Sequence, residues 1–238
     1  MKITLTPFSE MAELVIPAPQ KASNFLPQWF KDAPSREQDY NGNKLSRHHP
    51  GGTTVTMKGC NPLVDTLTGG YMFQLAADVE FHFNGQEFVP TWLVDFPLIS
   101  GQGHYQSQGL PRPDERSYTS WKWVAGWKIT TPKGYSTLFT HPFNRHDLPF
   151  RTFSGIVETD KFELQTDLPF QLLTDPGKDH VLIKKGTPIC QAIPFKRDNW
   201  TSEIAKYDDK ERKKQVFNLY SIADKSYKTQ YCERKTYN

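Results

Sequence analysis

Between Thr53 and Phe195 the chain is a succession of short apolar or alternating runs, each closed by Pro, Gly, Asn or Asp. YSTLFTH, FSGIVE, FELQTD, FQLLTD, HVLIKK and CQAIPF follow one another with only turn signals between them, and TTVTMK, GYMFQLAADVEFHF, NGQEFVPTWLVDF and YTSWKWVAGWKIT precede them. Runs of this length, with a period of two and no helical stripe, predict strands. Eighteen Pro and 15 Gly in 238 residues leave no room for a long helix there. The Asn84-Gly85 pair predicts a type I′ hairpin turn, because those residues tolerate positive φ. About ten short strands in one stretch give a mainly β fold, a jelly-roll or β-clip-like sandwich.

Two segments of other character flank this core, so the expected organisation is residues 1–52, 53–197 and 198–238. The first holds a strand, KITLTPF, and then a strap in which prolines at 17, 19 and 27 limit helices to single turns; Phe25, Leu26, Trp29 and Phe30 are spaced to anchor it. Residues 36–52 are polar and turn-rich, which predicts an exposed loop. The last segment places Val216, Leu219, Tyr220 and Ala223 at helical spacing behind an Asp-rich start, predicting a C-terminal amphipathic helix. It also carries the basic charge: residues 196–238 hold 11 Lys and Arg against 7 Asp and Glu, leaving the first 195 residues at −1.

Several classes of function are disfavoured by what is missing. Cys60, Cys190 and Cys232 are widely separated and form no C-x-x-C pair, and no apolar run approaches the length of a membrane span. A cytoplasmic protein with free thiols is expected, and Cys190 between apolar neighbours reads as a buried, inert one. There is no P-loop, dinucleotide fingerprint or nucleophile elbow. Aromatic residues alternate within the strands instead of lining a basic groove, which argues against a nucleic-acid partner.

The polar residues gather at strand ends. Glu158 and Asp160 in SGIVETDKF would share one face if the strand continued through them, and two close carboxylates can make a general base or a cation site. HPFNRHD brings His141, Asn144, Arg145, His146 and Asp147 within seven residues, a set suited to an anionic ligand. His104 in SGQGHYQSQG is a further candidate ligand-binding residue. A metal centre from His104, His141 and Glu158 would suit a cupin-like oxygenase, although no H-x-H or H-x-D pair supports one and His82 has no companion in its own strand. His48 and His49 are adjacent and would point apart on a strand.

Two resemblances bear on these residues. IPAPQKASNFLPQWFK, VTMKGCNPLVDTLTGGYMFQL, TPKGYSTLFTHPFNR, GIVETDKF and IKKGTPICQAIPFKRD resemble an uncharacterised family of marine tailed-phage (cyanophage-like) proteins and, in the C-terminal half, a bacterial domain of unknown function. That implies an origin, a host-cell cytoplasmic setting or a place in the virion, and no activity. The order P-K-G-Y, an Arg-bearing turn, G-I-V-E-T-D and I-K-K-G-T-P-I-C-Q-A-I is similar to the dUTPase and dCTP deaminase superfamily. This similarity implies Glu158 at the acid position, Arg145 near the phosphate-contacting pair and a nucleotide ligand, with a divalent cation compatible with such chemistry. His146 stands where that superfamily has serine, and Lys161-Phe162 replace its tyrosine-bearing continuation, departures that favour shared fold over shared catalysis. The sequence as a whole therefore points to a β-sandwich for binding or assembly, with a small anionic ligand or a protein as partner and a homo-oligomer compatible with the tail helix; diverged nucleotide chemistry and a metal-dependent oxygenase are the alternatives.

Overall fold

The computed structural model describes residues 1–38, 41–43, 56–101, 106, 108–110, 121–174, 177–221, 231–233 and 235–237, with the side chains of 219–221 left out. The chain divides into two compact units, Met1–Phe25 with Gly70–Arg197, and Leu26–Gly69 with Asp198–Asn238.

The first unit is built almost entirely from antiparallel strands. β1 (Thr4–Pro7) leads into α1 (Glu10–Val15), whose N-terminus is capped by the Ser9 hydroxyl accepting the Ala12 N–H at 3.1 Å. A short β2 (Gln20–Lys21) follows, and Gly70 resumes the unit with β3 (Tyr71–Gln74), β4 (Val79–Phe83), β5 (Phe88–Thr91) and β6 (Ile99–Gly101). Then come β7 (Trp121–Val124), β8 (Trp127–Thr130), β9 (Tyr135–Thr140), β10 (Phe150–Thr152) and β11 (Gly155–Val157). β12 (Asp167–Leu172), β13 (His180–Ile183) and β14 (Pro188–Lys196) complete it. The sheets run β11-β9-β14-β3-β2, β10-β12-β7-β6, β13-β4-β5 and β1-β8.

All four sheets turn their apolar faces into one core. Trp123 stacks on Phe170 with ring centroids 3.8 Å apart and planes 8° from parallel, while Phe150 meets both rings edge-on. Phe81 on β4 reaches the same cluster through edge contacts with Phe170 and Trp121. Phe73, Phe139, Cys190 and Ala192 supply the five-stranded sheet's share. Burial pushes the Cys190 thiol up to about 12, so it is inert at neutral pH, as its apolar neighbours imply.

The mainly β expectation holds, with local differences that have physical causes. YTSWKWVAGWKIT is divided: Gly126 has φ +69, and a Cβ there would lie 2.8 Å from Ile16, so the chain turns at a residue that only glycine suits, and β7 and β8 enter different sheets. At the Asn84-Gly85 hairpin only Gly85 has positive φ; Asn84 instead accepts the N–H groups of Gln86 and Glu87 on its side chain, giving a four-residue loop in place of a type I′ turn. FELQTD is not a strand, because the Glu158 carbonyl takes both the Lys161 and Phe162 N–H groups and closes a turn.

The second unit is helical. α2 (Gln28–Asp32) buries Phe30 and leaves Trp29 largely exposed, so only one ring of the expected pair is sequestered. The described part of TTVTMK is no strand: the Thr56 hydroxyl accepts the Lys58 N–H and opens a 3-10 turn, Met57–Gly59. α3 (Asn61–Thr68) starts with proline in its first turn, the position where a missing N–H costs nothing, and Gly69 ends it. α4 (Asp209–Ser221) starts where Asp208 accepts the Glu211 N–H at 3.0 Å. Of the expected apolar stripe, Val216 is half-buried, Leu219 and Tyr220 have undescribed side chains, Ala223 lies outside the described residues, and Phe217 is 70% exposed. Lys58 bonds the carbonyls of Lys31 and Ala33, and Lys235 pairs with Asp65 on α3 at 2.6 Å.

The aromatic cluster sets a stability expectation. Phe81→Ala empties a fully buried site touching two other rings and should lower unfolding free energy by about 3–5 kcal/mol. Urea denaturation checks it, and a loss below about 1 kcal/mol would show that the cluster is not continuous.

Candidate functional site

The 158–161 turn is built by a buried hydroxyl cluster. The side chain of Thr159, at the end of β11, lies between those of Thr131 and Thr137, with both oxygen–oxygen distances 2.8 Å. All three residues are buried, and the Thr131 N–H adds a bond to the Thr159 carbonyl. Burying three hydroxyls is tolerable because each has a partner. Because the strand ends at Val157 and the Glu158 carbonyl closes a turn onto the Lys161 and Phe162 N–H groups, Glu158 and Asp160 are not an i, i+2 strand pair.

They differ accordingly. Asp160 has a side chain only 2% exposed; it accepts the Gly134 N–H at 2.8 Å and is gripped by both terminal nitrogens of Arg197, one at 2.7 Å. Arg197 and then the Gly134 amide hold its carboxyl well below the usual carboxylate range. The same guanidinium bonds the Tyr135 carbonyl and the Ser136 hydroxyl, each at 3.0 Å, and the Arg197 N–H returns to the Gly134 carbonyl. Such a carboxylate is a latch between three segments and is poorly suited to take up a proton. Glu158 is exposed at the sheet end and adds negative charge beside Arg197. Of the two acids, Asp160 is taken up by Arg197 and Glu158 is left at the surface.

The turn 141–147 is braced by two neighbouring strands and by a bond within itself. Gln191, buried on β14, accepts the Phe143 N–H at 3.1 Å. His141 accepts the Thr152 N–H on Nδ1 and donates from Nε2 to the Arg145 carbonyl at 3.0 Å. Both ring nitrogens are thus engaged by backbone, and desolvation lowers the imidazole's pKa, favouring the neutral form this pattern needs. The expected His104–His141–Glu158 metal set loses its central member to this role, and His104 lies outside the described residues, as do His48 and His49.

Of the remaining candidates, His146 and Asp147 are exposed, while Asn144 and Arg145 are part-buried. Asn144 takes φ +59, the sole non-glycine residue with positive φ among those described, and turns the chain so that Arg145 lies along the surface. Arg145 forks onto Asp147 through Nε at 2.9 Å and Nη2 at 2.8 Å, with its side chain 15% exposed. That fork depresses the Asp147 carboxyl. Nη1 makes no hydrogen bond among the described residues. His146 is exposed beside it.

Sequence reasoning did not single out Gln191 and Arg197 for these anchoring roles. The only sequence signals were a lone glutamine in an apolar strand and an arginine one residue past its end. It also left His82 without a companion, whereas the structure pairs it across strands with His180, next to Glu80.

The sequence matches no protein-family model and no curated protein. Among solved structures it is similar to a mutant dUTPase from phage phi11 of S. aureus, described for its coordination of a structural Mg(II) ion, at 12% identity over 89% of this chain and 99% of that one, with a TM-score of 0.35. Two point mutants of the Staphylococcus bacteriophage 80alpha dUTPase are also similar. One is 11% identical over 87% of this chain and 97% of that one, with a TM-score of 0.38; the other, with dUpNHpp, is 10% identical over 87% and 89%, with a TM-score of 0.36. No helix among the described residues is long and apolar enough to cross a membrane.

The latch makes a coupling prediction. Asp160→Asn and Arg197→Gln should each lower the melting temperature, and the double variant should lose little more than either single one, because both remove the same interaction. Fully additive losses in thermal unfolding would show that the pair is not coupled.

Proposed function

We propose that this chain is a phage-type binding or assembly protein that takes a small anionic ligand on the turn 141–147. The observation carrying this reading is Arg145: a guanidinium held in place by Asp147, on a turn braced by Gln191 and His141, with its Nη1 edge unused among the described residues. A planar fork already oriented by one carboxylate loses little side-chain entropy when it meets a phosphate or a second carboxylate. Asn144 and His146 stand on either side to complete the contact. Binding is favoured over turnover because Asp160, the acid closest to a buried setting, is committed to Arg197.

With a panel of inorganic phosphate, pyrophosphate, deoxynucleotides and dicarboxylates, calorimetry should find an anion whose dissociation constant rises roughly tenfold or more in Arg145→Ala, the scale of a charge-assisted hydrogen bond. Unchanged affinity in that variant overturns the assignment.

A second reading rests on Glu158, which is exposed at the end of β11 and unburdened by the latch that occupies Asp160. Glu158 would activate water toward a deoxynucleoside triphosphate, with a divalent cation on the phosphates. Turnover of such a nucleotide in the presence of Mg(II), abolished in Glu158→Gln while binding persists, is its expected signature; binding without product removes it.

A further inference from the structure

The outer face of the β13-β4-β5 sheet carries a cluster that neither reading uses. Along β4, Val79 and Phe81 point into the core, so Glu80 and His82 emerge on the opposite face. β13 pairs antiparallel with β4 so that His180 lies directly opposite His82 and Leu182 opposite Glu80. Three residues from two strands, about 100 positions apart in sequence, thereby meet on one patch. The His82 and His180 rings are 4.7 Å apart and 34° from parallel. Nε2 of His82 is 3.2 Å and Nε2 of His180 is 3.6 Å from the same oxygen of Glu80. One ligand atom from each residue lies within 4.8 Å of both others.

We propose that Glu80, His82 and His180 form a binding site for a divalent first-row transition metal of the Zn(II) type. Bonds of about 2.0–2.2 Å from a tetrahedral ion to nitrogen and oxygen place neighbouring donor atoms roughly 3.3 Å apart. The two nitrogen-to-carboxylate separations already bracket that value, and closing the imidazole pair needs only side-chain rotation. Two imidazoles and one carboxylate select Zn(II), Ni(II) or Cu(II) over Mg(II) and Ca(II), which prefer all-oxygen shells.

The backbone beneath is pre-organised. A slip of one residue between β4 and β13 would expel Phe81, Val79 and Ile183 from the core, so the register that brings the histidines together is locked by burial on the other face. The Phe83 N–H bonds the Asp179 carbonyl at 2.9 Å and extends the ladder past the histidine pair. The three side chains are about half exposed, 53% for His82, 48% for His180 and 47% for Glu80, so an ion arrives from solvent and keeps water in its remaining positions. Such a half-open arrangement is that of an exchangeable site.

The test is calorimetric titration of chelator-treated protein with ZnCl2 in excess MgCl2, run on the native sequence and on His82→Gln, His180→Gln and the double variant. One equivalent of Zn(II) should bind the native protein, with affinity at least tenfold weaker in each single variant and lost in the double one, while Arg145→Ala leaves it unchanged. No Zn(II) binding overturns the proposal, as does equal binding by the double variant, which would put the ion on the other five histidines or on cysteine. A second measurement needs no variant: Co(II) added to the native protein should give visible bands of a low-coordinate nitrogen–oxygen site that ZnCl2 abolishes. Bands of hydrated Co(II) alone, or sulfur-to-metal charge transfer from a cysteine, overturn it as well.

Discussion

The turn that carries Glu158 depends on one ion pair, a buried Asp160 carboxylate and a part-buried Arg197. Asp160 and Arg197 lie 37 residues apart, and their contact joins the turn after β11, the turn before β9 and the end of β14. Two charges sequestered together are stabilising only when their remaining hydrogen-bonding capacity is met, and here it is: Gly134, Tyr135 and Ser136 supply the extra partners. Gly134 has φ +86, which allows its backbone to offer an amide to Asp160 and a carbonyl to Arg197 at one point. Without this junction the three-threonine cluster would have no fixed lid, and Glu158 no fixed position.

The division of labour between neighbouring polar residues follows. In both turns one residue of a chemically suggestive pair is turned inward to hold the backbone, and the other is left at the surface. Asp160 is consumed and Glu158 presented; His141 is consumed and His146 presented, with the part-buried Arg145 beside it. Strand ends are where a sheet has spare backbone donors and acceptors, so some polar side chains there are recruited to satisfy them. What remains outside is what a ligand can meet.

The fold class was legible because it rests on local information: a period of two, frequent breakers and no helical stripe. The positions of β9, β13 and β14 follow from their own residues. What was not legible depended on distant partners. Nothing within SGIVETDKF says that Arg197 will claim Asp160, and without that the pair reads as two cooperating acids. His82 looked isolated because its companion lies on a strand nearly a hundred residues later, and register alone unites them. The helix over 61–68 was missed for a different reason: Asn61-Pro62 and Gly69-Gly70 read equally well as turns, and a two-turn helix adds too few residues for its period to show.

The turn at Gly126 has a further consequence for how the molecule opens. β7 and β8 are separated by only Ala125 and Gly126, yet they are hydrogen-bonded into different sheets, and the Gly126 carbonyl also takes the Phe8 N–H at the end of β1. Neither sheet can fray from this corner without straining the other through a two-residue tether. Amide protons of Trp123 and Ile129 are therefore expected to exchange as one cooperative unit, although no strand pairing connects them.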